Sequence, residues 1–244
     1  MTIAWNAEGV TDPGRLRRSD EDAFLVDAER GLFAVADGVG GSRGGDVASR
    51  IAVETAGQVL DDHLRNSSGE LPPAVIAQMF ARAHGAIIER AERDPTLAGM
   101  ATTLVLLFCD ASSAWIAHCG DSRVYRWRQG ALDRLSRDHS FAEVLAQAGG
   151  GSVRTKSPFG HVLTRCLGKN GSSEPEIREI DVLAGDRYLL CCDGLTDMVP
   201  EPDLQTLLSQ RLPPGDTGRK LIATANDAGG KDNITAVVID IVGA

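Results

Sequence analysis

Four aspartates occur where an apolar, strand-like run meets a glycine turn, or within such a turn. They are Asp37 in AVADGVGG, Asp121 in HCGDSR, Asp193 in LLCCDGLTD and Asp232 in GGKDNIT. A carboxylate at the end of a buried strand is costly unless it is paired or binds a cation. Any one of them alone is most simply a turn residue or a helix cap. Four together, with Glu21-Asp22 close to an arginine, favour a carboxylate cluster that binds cations.

The chemistry of such a cluster follows from its ligand atoms. The histidines are scattered, and none pairs with another at metal-ligand spacing, so we expect them to be structural or exposed. Carboxylates without histidine or cysteine select hard cations, Mg²⁺ or Mn²⁺. Two such ions about 4 Å apart can hold a bridging water, lower its pKa and direct it in line at a phosphorus atom. The cluster therefore indicates metal-assisted hydrolysis of a phosphate ester.

The elements that must position these aspartates follow from the hydrophobic periodicity. Strands are predicted at 23–27, 32–37, 102–109, 113–120, 123–128, 131–135, 176–182, 187–192 and 234–241. Helices are predicted at 45–64, 72–93, 139–147, 200–210 and 216–228. Because strand runs and helix pairs are segregated, the pattern favours antiparallel sheets covered by helices over a doubly wound fold.

Some of these strands are expected to pair with their neighbours in sequence. The four runs between 102 and 135 predict a consecutive meander, and 176–182 and 187–192 predict a strand pair around the turn at 184–186. The stretch 148–160 is rich in glycine and has no clear period, which predicts a mobile loop or lid.

Composition restricts the class of protein. The length of 244 residues and ordinary hydrophobic content predict a single domain over 1–244. The net charge of −9 gives no basic surface for a nucleic acid. The five cysteines, an odd number without C-x-x-C spacing, indicate reduced thiols. No signal-peptide pattern is visible, and the longest apolar run, 99–109, is shorter than the ~20 residues that span a bilayer. We therefore expect a cytoplasmic protein without membrane contact.

Eight short motifs follow one another between residues 11 and 238. They read TDPGRLRRSDED at 11–22, DGVGG at 37–41, GMATT at 99–103, GDSR at 120–123, DHS at 138–140, VLTR at 162–165, DGLTD at 193–197 and DNIT at 232–235. All eight in this order resemble the metal-dependent protein phosphatases, also called type 2C or PPM phosphatases. The resemblance implies an α+β fold, a four-layer αββα sandwich of two antiparallel β-sheets flanked by helices, with metals in the cleft between the sheet edges.

The resemblance also implies a set of core metal ligands. Asp37 would bridge two ions, Mn²⁺ or Mg²⁺. Asp193 and Asp232 would hold the first ion. Glu21, mostly through water, and the carbonyl of Gly38 would help to hold the second.

Further roles around this core are implied in the same way. Asp22 and Asn233 would not bind the ions directly but would position the residues that do. A third, weaker ion is expected at Asp121 and Asp193, as in bacterial members. Arg17 matches the phosphate-binding arginine, and a planar guanidinium suits a pair of phosphate oxygens.

Two departures from the family pattern limit what can be carried over. Val39 stands where animal members have a histidine suspected of protonating the leaving oxygen, so the resemblance leaves the general acid open. The flap expected at about 140–165 is short and rich in glycine, so the family's substrate contacts there are not transferred.

The function that these observations predict is that of a bacterial-type protein serine/threonine phosphatase. It would act on phosphorylated proteins, oppose a serine/threonine kinase and work as a monomer. Two alternatives stay open: a catalytically weak regulatory module that binds phosphoproteins, and a phosphatase of a small phosphate ester. The second persists because the metals and Arg17 would recognise only the phosphate.

Overall fold

The computed structural model describes residues 4–39, 44–66, 73–110, 114–147, 162–169 and 172–243. The strands in these ranges are β1 Ala4–Asp12, β2 Ala23–Asp27, β3 Leu32–Ala36, β4 Leu104–Cys109, β5 Ala114–Cys119, β6 Arg123–Arg128, β7 Ala131–Arg134, β8 Glu176–Ile180, β9 Arg187–Cys191 and β10 Ile234–Gly243. The helices are α1 Gly45–Asn66, α2 Pro73–Arg93, α3 Phe141–Gln147, α4 Asp193–Thr196, α5 Glu201–Ser209 and α6 Pro214–Asp227, with a 3₁₀ turn at Pro95–Leu97. No helix in these ranges is both long and apolar enough to cross a membrane.

The strands form two antiparallel sheets of five strands each. One has the order β1-β10-β9-β6-β7 and the other β2-β3-β4-β5-β8. Helices α1 and α2 pack on the outer face of the second sheet, whereas α4, α5 and α6 pack on the outer face of the first. The predicted α+β sandwich of four layers is therefore confirmed.

Strand β3 shows why its sequence is almost entirely apolar. Successive side chains of a strand point to opposite faces. Leu32, Ala34 and Ala36 face the layer of α1 and α2, while Phe33 and Val35 face the core between the two sheets. Both faces of the strand are thus buried, and the polar residue that follows it must find a partner in the interior.

The predicted strand pairings are wrong at two places. Strands β5 and β6 are not neighbours, because the chain leaves one sheet after β5 and enters the other as β6. Likewise, β8 pairs with β5, whereas β9 pairs with β10 and β6. Periodicity identifies a strand but not its partner, and a short crossover between sheets has the same glycine-rich sequence as a hairpin turn. The first crossover, Gly120–Ser122, carries Asp121.

Two elements near the candidate site have no counterpart among the predicted elements. Strand β1 is an amphipathic edge strand that pairs with β10, with Thr11 opposite Thr235. Helix α4 is a single turn that begins at Asp193. The predicted flap at 140–165 lies outside the described residues from 148 to 161, and its first part forms α3.

Candidate metal centre

The four aspartates found in the sequence come together from both sheets. Asp37 directly follows β3, Asp121 lies on the crossover to β6, Asp193 opens α4 after β9, and Asp232 precedes β10. Burial raises the pKa of Asp37 well above its usual range, and the negative charges of Asp22, Asp193, Asp121 and Asp232 raise it further. A half-buried carboxylate with so many negative neighbours is stable as an anion only beside a cation.

The backbone of Asp37 is held from both sides by two threonines. Its N–H donates to Oγ1 of Thr103 at 3.0 Å, and its carbonyl accepts from the N–H of Thr103 at 2.9 Å and from Oγ1 of Thr102 at 2.8 Å. Oγ1 of Thr103 also lies 2.7 Å from Oγ of Ser122 on the crossover. The two threonines of the GMATT motif, for which no role was predicted, therefore connect the strand end that carries Asp37 with the loop that carries Asp121.

Gly38 must be a glycine because the backbone is crowded around it. A Cβ atom there would lie 2.5 Å from the carbonyl oxygen of Glu21 and 2.6 Å from that of Gly45. A Cβ atom on Gly45 would lie 2.5 Å from Oε2 of Glu21. Glu21 is thus packed between the turn after β3 and the start of α1.

The charges around Glu21 include one residue that sequence reasoning missed. Burial raises the pKa of Glu21; Arg17 opposes this shift, and Asp46 and Asp232 add to it. Asp46 lies in the first turn of α1. An acidic residue in the first turn is ordinary for a helix, so its position in the sequence does not indicate that Asp46 is close to the cluster.

Arg17 lies at the edge of the cluster. Its Nη2 donates to Oδ2 of Asp232 at 2.7 Å, and each of the two side chains is 41% exposed. The other oxygen of Asp232 accepts from the N–H of Asn233 at 2.8 Å. The guanidinium is therefore at the solvent side of the carboxylates, within reach of a ligand that enters the cleft.

Asn233 fastens the loop that carries Arg17 and Glu21. Its Oδ1 accepts from the N–H of Glu21 at 3.0 Å, and its Nδ2 donates to the carbonyls of Pro13 at 3.1 Å and Ser19 at 2.8 Å. A single buried amide thus holds both ends of the loop against the start of β10.

Asp22 has one satisfied and one unsatisfied oxygen. Its Oδ2 accepts from Oγ1 of Thr235 at 2.7 Å, but its buried Oδ1 has no hydrogen-bond partner in the described part of the chain. Burial raises the pKa of Asp22 to about 7, although the hydrogen bond from Thr235 and the nearby thiol of Cys192 oppose the shift. Buried polar atoms are nearly always paired, so this oxygen calls for a cation or a water held by one.

Asp121 is a second buried carboxylate in the same cluster. Burial raises its pKa well above the usual range, Asp193 and Asp138 raise it further, and Arg123 lowers it. Arg123 itself makes a buried two-point ion pair with Asp138, at 3.0 and 2.8 Å. Arg123 is therefore already occupied by Asp138, which leaves the negative charge of Asp121 for a cation.

His118 and His139 are far apart in sequence but lie side by side in space. The rings of His118 and His139 stack with centroids 4.6 Å apart, and Oε2 of Glu176 lies 3.9 Å from Nε2 of His139. His139 accepts at Nδ1 from the N–H of Gly120, so its proton is on Nε2, and Nε2 of His118 is 2.7 Å from the carbonyl of Arg137. Both Nε2 atoms are thus hydrogen-bond donors, so neither of them offers a lone pair to a metal ion.

The carboxylate cluster fits hard divalent cations. It combines oxygen ligands, an unsatisfied buried oxygen on Asp22 and a main-chain carbonyl at Gly38, a position that leaves no room for a side chain. Such all-oxygen sites bind Mg²⁺ or Mn²⁺ and leave positions open for water and phosphate oxygens. A neighbouring guanidinium adds a donor for an anionic substrate.

Comparisons with known proteins agree with this chemistry. A family model described as protein phosphatase 2C matches residues 16–225. The serine/threonine phosphatase stp of Listeria monocytogenes is 33% identical over 240 residues, which covers 96% of this chain and 95% of the relative.

Two solved structures are similar over nearly the whole chain. The catalytic domain of the serine threonine protein phosphatase PstP, in complex with two manganese ions, superposes with a TM-score of 0.86 and 32% identity, covering 99% of this chain and 100% of the other. PppA, described as a key regulatory component of the T6SS in Pseudomonas aeruginosa, superposes with a TM-score of 0.84 and 31% identity, covering 98% and 99%.

Proposed function

The chain belongs to the protein phosphatase 2C family, and from this premise we propose a role for each residue of its metal centre. It is a metal-dependent serine/threonine phosphatase that acts on phosphorylated proteins. The observation that carries the proposal is the position of Asp37, a half-buried carboxylate whose pKa is raised by desolvation and by four other aspartates.

Asp37 is proposed to bridge two divalent ions. Asp193 and Asp232 are the remaining protein ligands of the first ion. Glu21, through water, and the carbonyl of Gly38 serve the second. The packing around Gly45 supports this division, because a Cβ atom there would lie 2.5 Å from Oε2 of Glu21 and 3.2 Å from the carbonyl carbon of Gly38, so the carboxylate and the main-chain carbonyl are neighbours. When bound, the ion pair supplies a water of lowered pKa as nucleophile and neutralises charge on the phosphate.

Arg17 is proposed to hold the phosphate of the substrate. Its contact with Asp232 uses Nη2, and a guanidinium has five N–H donors in a planar fork. Arg17 can therefore keep one donor on Asp232 and direct others at two phosphate oxygens, which fixes the phosphorus atom in front of the metal centre.

Asp22 and Asn233 are proposed to be positioning residues. Asn233 bonds three backbone groups of the loop that carries Arg17 and Glu21. Asp22 supports the metal ligands through its unpaired Oδ1. Neither is expected to contact the substrate.

Asp121 is proposed to hold a third, weaker ion together with Asp193. The buried charge of Asp121 and the effect of Asp193 on its pKa support this assignment. Manganese is the metal we propose for the core pair, with Mg²⁺ as the alternative, because the similar PstP catalytic domain binds two manganese ions.

The wider role proposed is the reversal of a partner serine/threonine kinase by a monomeric, single-domain enzyme. All five cysteines are free thiols, which suits a reducing compartment such as the cytoplasm. The charged edge of the cleft at Arg17 is open to a phosphorylated side chain on a protein surface.

Hydrolysis of a phosphothreonine peptide and of a small aryl phosphate, each with Mn²⁺ and with excess chelator, tests this function. We expect chelator-sensitive turnover of both, with a clearly higher kcat/KM for the peptide. A preference for the small ester would favour the alternative substrate class. Binding of the phosphopeptide without turnover would favour a regulatory module.

A further inference from the structure

A buried thiol lies next to the metal centre. Cys192 lies between β9 and Asp193 and is fully buried. Its Sγ accepts from the N–H of Thr235 at 3.1 Å and donates to the carbonyl of Asn233 at 3.4 Å. The proposed function leaves this side chain without a chemical role.

Cys192 is close to two carboxylates of the centre. Its Sγ, one oxygen of Asp22 and one oxygen of Asp37 all lie within 4.8 Å of one another. Bond lengths of about 2.3 Å to sulfur and 2.0–2.2 Å to oxygen place the ligand atoms of a tetrahedral Zn²⁺ ion ~3.5 Å apart. Side-chain adjustments of about an ångström would therefore bring the three groups onto one ion.

A second observation points to a ligand at this place. Oδ1 of Asp22 is buried and unpaired in the described residues. The remaining contacts of the trio are compatible with coordination: Oδ2 of Asp22 is held by Thr235, and Sγ of Cys192 already accepts an N–H bond. Hydrogen bonds of this kind orient metal ligands in known sites.

A sulfur ligand changes which cation the site prefers. Carboxylates alone suit Mg²⁺ and Mn²⁺, whereas a thiolate favours softer ions such as Zn²⁺ and Co²⁺. We propose that Cys192, Asp22 and Asp37 bind a thiophilic divalent cation, typified by Zn²⁺, and that this ion inhibits the phosphatase because it takes Asp37 from the catalytic pair. Binding of the ion would release the thiol proton to the solvent, and the thiolate would keep the N–H of Thr235 as its donor.

The chain provides a matched control in the preceding residue. Cys191 is equally buried, but it faces the layer of α4, α5 and α6, whereas Cys192 faces the core between the sheets. A cysteine-to-serine change at either position removes one sulfur atom from the interior. Only the change at Cys192 removes it from the carboxylates.

The direct test uses Co²⁺ as a spectroscopic probe of the purified full chain. A thiolate bound to Co²⁺ gives a charge-transfer band in the near ultraviolet, and carboxylates do not. We expect the band in the wild type and in Cys191→Ser, its absence in Cys192→Ser, and its loss when Zn²⁺ is added. No band in the wild type at saturating Co²⁺, or a band that survives in folded Cys192→Ser, would overturn the proposal.

Inhibition gives a second readout. The Zn²⁺ concentration that halves Mn²⁺-supported turnover should rise at least about tenfold in Cys192→Ser relative to Cys191→Ser. If Cys192→Ser does not fold, Cys192→Ala and Asp22→Asn replace it, and both should weaken the response to Zn²⁺. Unchanged inhibition in the folded variants contradicts the site.

The inference rests on the proposed function only through Asp37, and the two can fail separately. Turnover with Mn²⁺ and no cobalt–thiolate band would reject the thiol site alone. A band without any turnover would reject the proposed function and leave the thiol site standing.

Discussion

Arg17 and Asp232 are 215 residues apart in sequence, yet Nη2 of the arginine donates to Oδ2 of the aspartate at 2.7 Å. This pair joins the loop after β1 to the residue before β10 at the solvent side of the metal centre. A phosphate that enters the cleft therefore meets a guanidinium whose position is already fixed by a proposed metal ligand.

Replacement of this arginine should weaken turnover without loss of the metals. A charge-assisted contact contributes about 1.5–3 kcal/mol, so Arg17→Ala should lower kcat/KM for a phosphopeptide by about one to two decades. Arg17→Lys should recover only part of this loss, because an ammonium cannot make the two-point contact. Steady-state kinetics and calorimetric Mn²⁺ titration measure the two effects.

The neighbouring Arg15 and Arg18 are the controls for Arg17. Both side chains are exposed on the same loop, so Arg15→Ala and Arg18→Ala should stay near the wild type. Equal losses in all three variants would indicate a diffuse electrostatic effect, and an Arg17→Ala variant with normal kinetics would exclude this residue from the site.

Removal of Asp121 should separate the third ion from the core pair. Asp37 and Asp232 remain in Asp121→Ala, so core metal affinity should change little while turnover falls. Calorimetric Mn²⁺ titration beside phosphopeptide kinetics provides the comparison. Loss of all metal binding in this variant would mean that Asp121 belongs to the core.

His139 should position the crossover that carries Asp121. The ring Nδ1 of His139 accepts from the N–H of Gly120 at 3.2 Å, and the backbone N–H of His139 donates to the carbonyl of Gly120 at 2.9 Å. Gly120 has a φ of +114°. The Oδ1 of an asparagine takes the place of Nδ1, so His139→Asn should retain most of kcat. His139→Gln, with its amide at the wrong distance, should lose more, and core Mn²⁺ affinity should hold in both. Equal kcat values for the two variants would contradict this role.

The same histidine should make stability depend on pH. Burial, followed by the charges of His118 and Arg165, lowers the pKa of His139 to about 3 from 6.5. The unfolded chain then binds a proton that the folded chain does not, so the free energy of unfolding should fall as the pH drops from 6.5 toward 3. One such group contributes a slope of up to about 1.4 kcal/mol per pH unit. Urea unfolding at several pH values should show a shallower slope in His139→Asn, and an identical slope would refute it.

The sequence was informative where local pattern and burial coincide. The apolar run of β3 predicts a buried strand, and a charged residue directly after it predicts a cation site; the structure confirms the strand and brings Asp37 among other carboxylates. The ordered motifs predicted the family, and the family model and the relatives confirm it.

The sequence was uninformative where contacts between distant parts of the chain decide the arrangement. The turn at 120–122 has the composition of a hairpin, but it connects two sheets, because the partners of β5 and β6 are set by distant strands. Nothing local indicates that His118 stacks on His139 or that Asp46 faces Glu21. These contacts arise from packing between elements.

The central claim is that Asp37 holds the metal pair on which turnover depends. Mn²⁺ binding by calorimetry and phosphothreonine-peptide hydrolysis should be measured together in the wild type and in Asp37→Asn, which keeps the shape of the side chain. We predict that the wild type binds at least two ions and stops in excess chelator, and that Asp37→Asn loses both the ions and nearly all turnover. Full activity of the wild type in excess chelator, or normal metal binding and turnover in Asp37→Asn, would contradict the account.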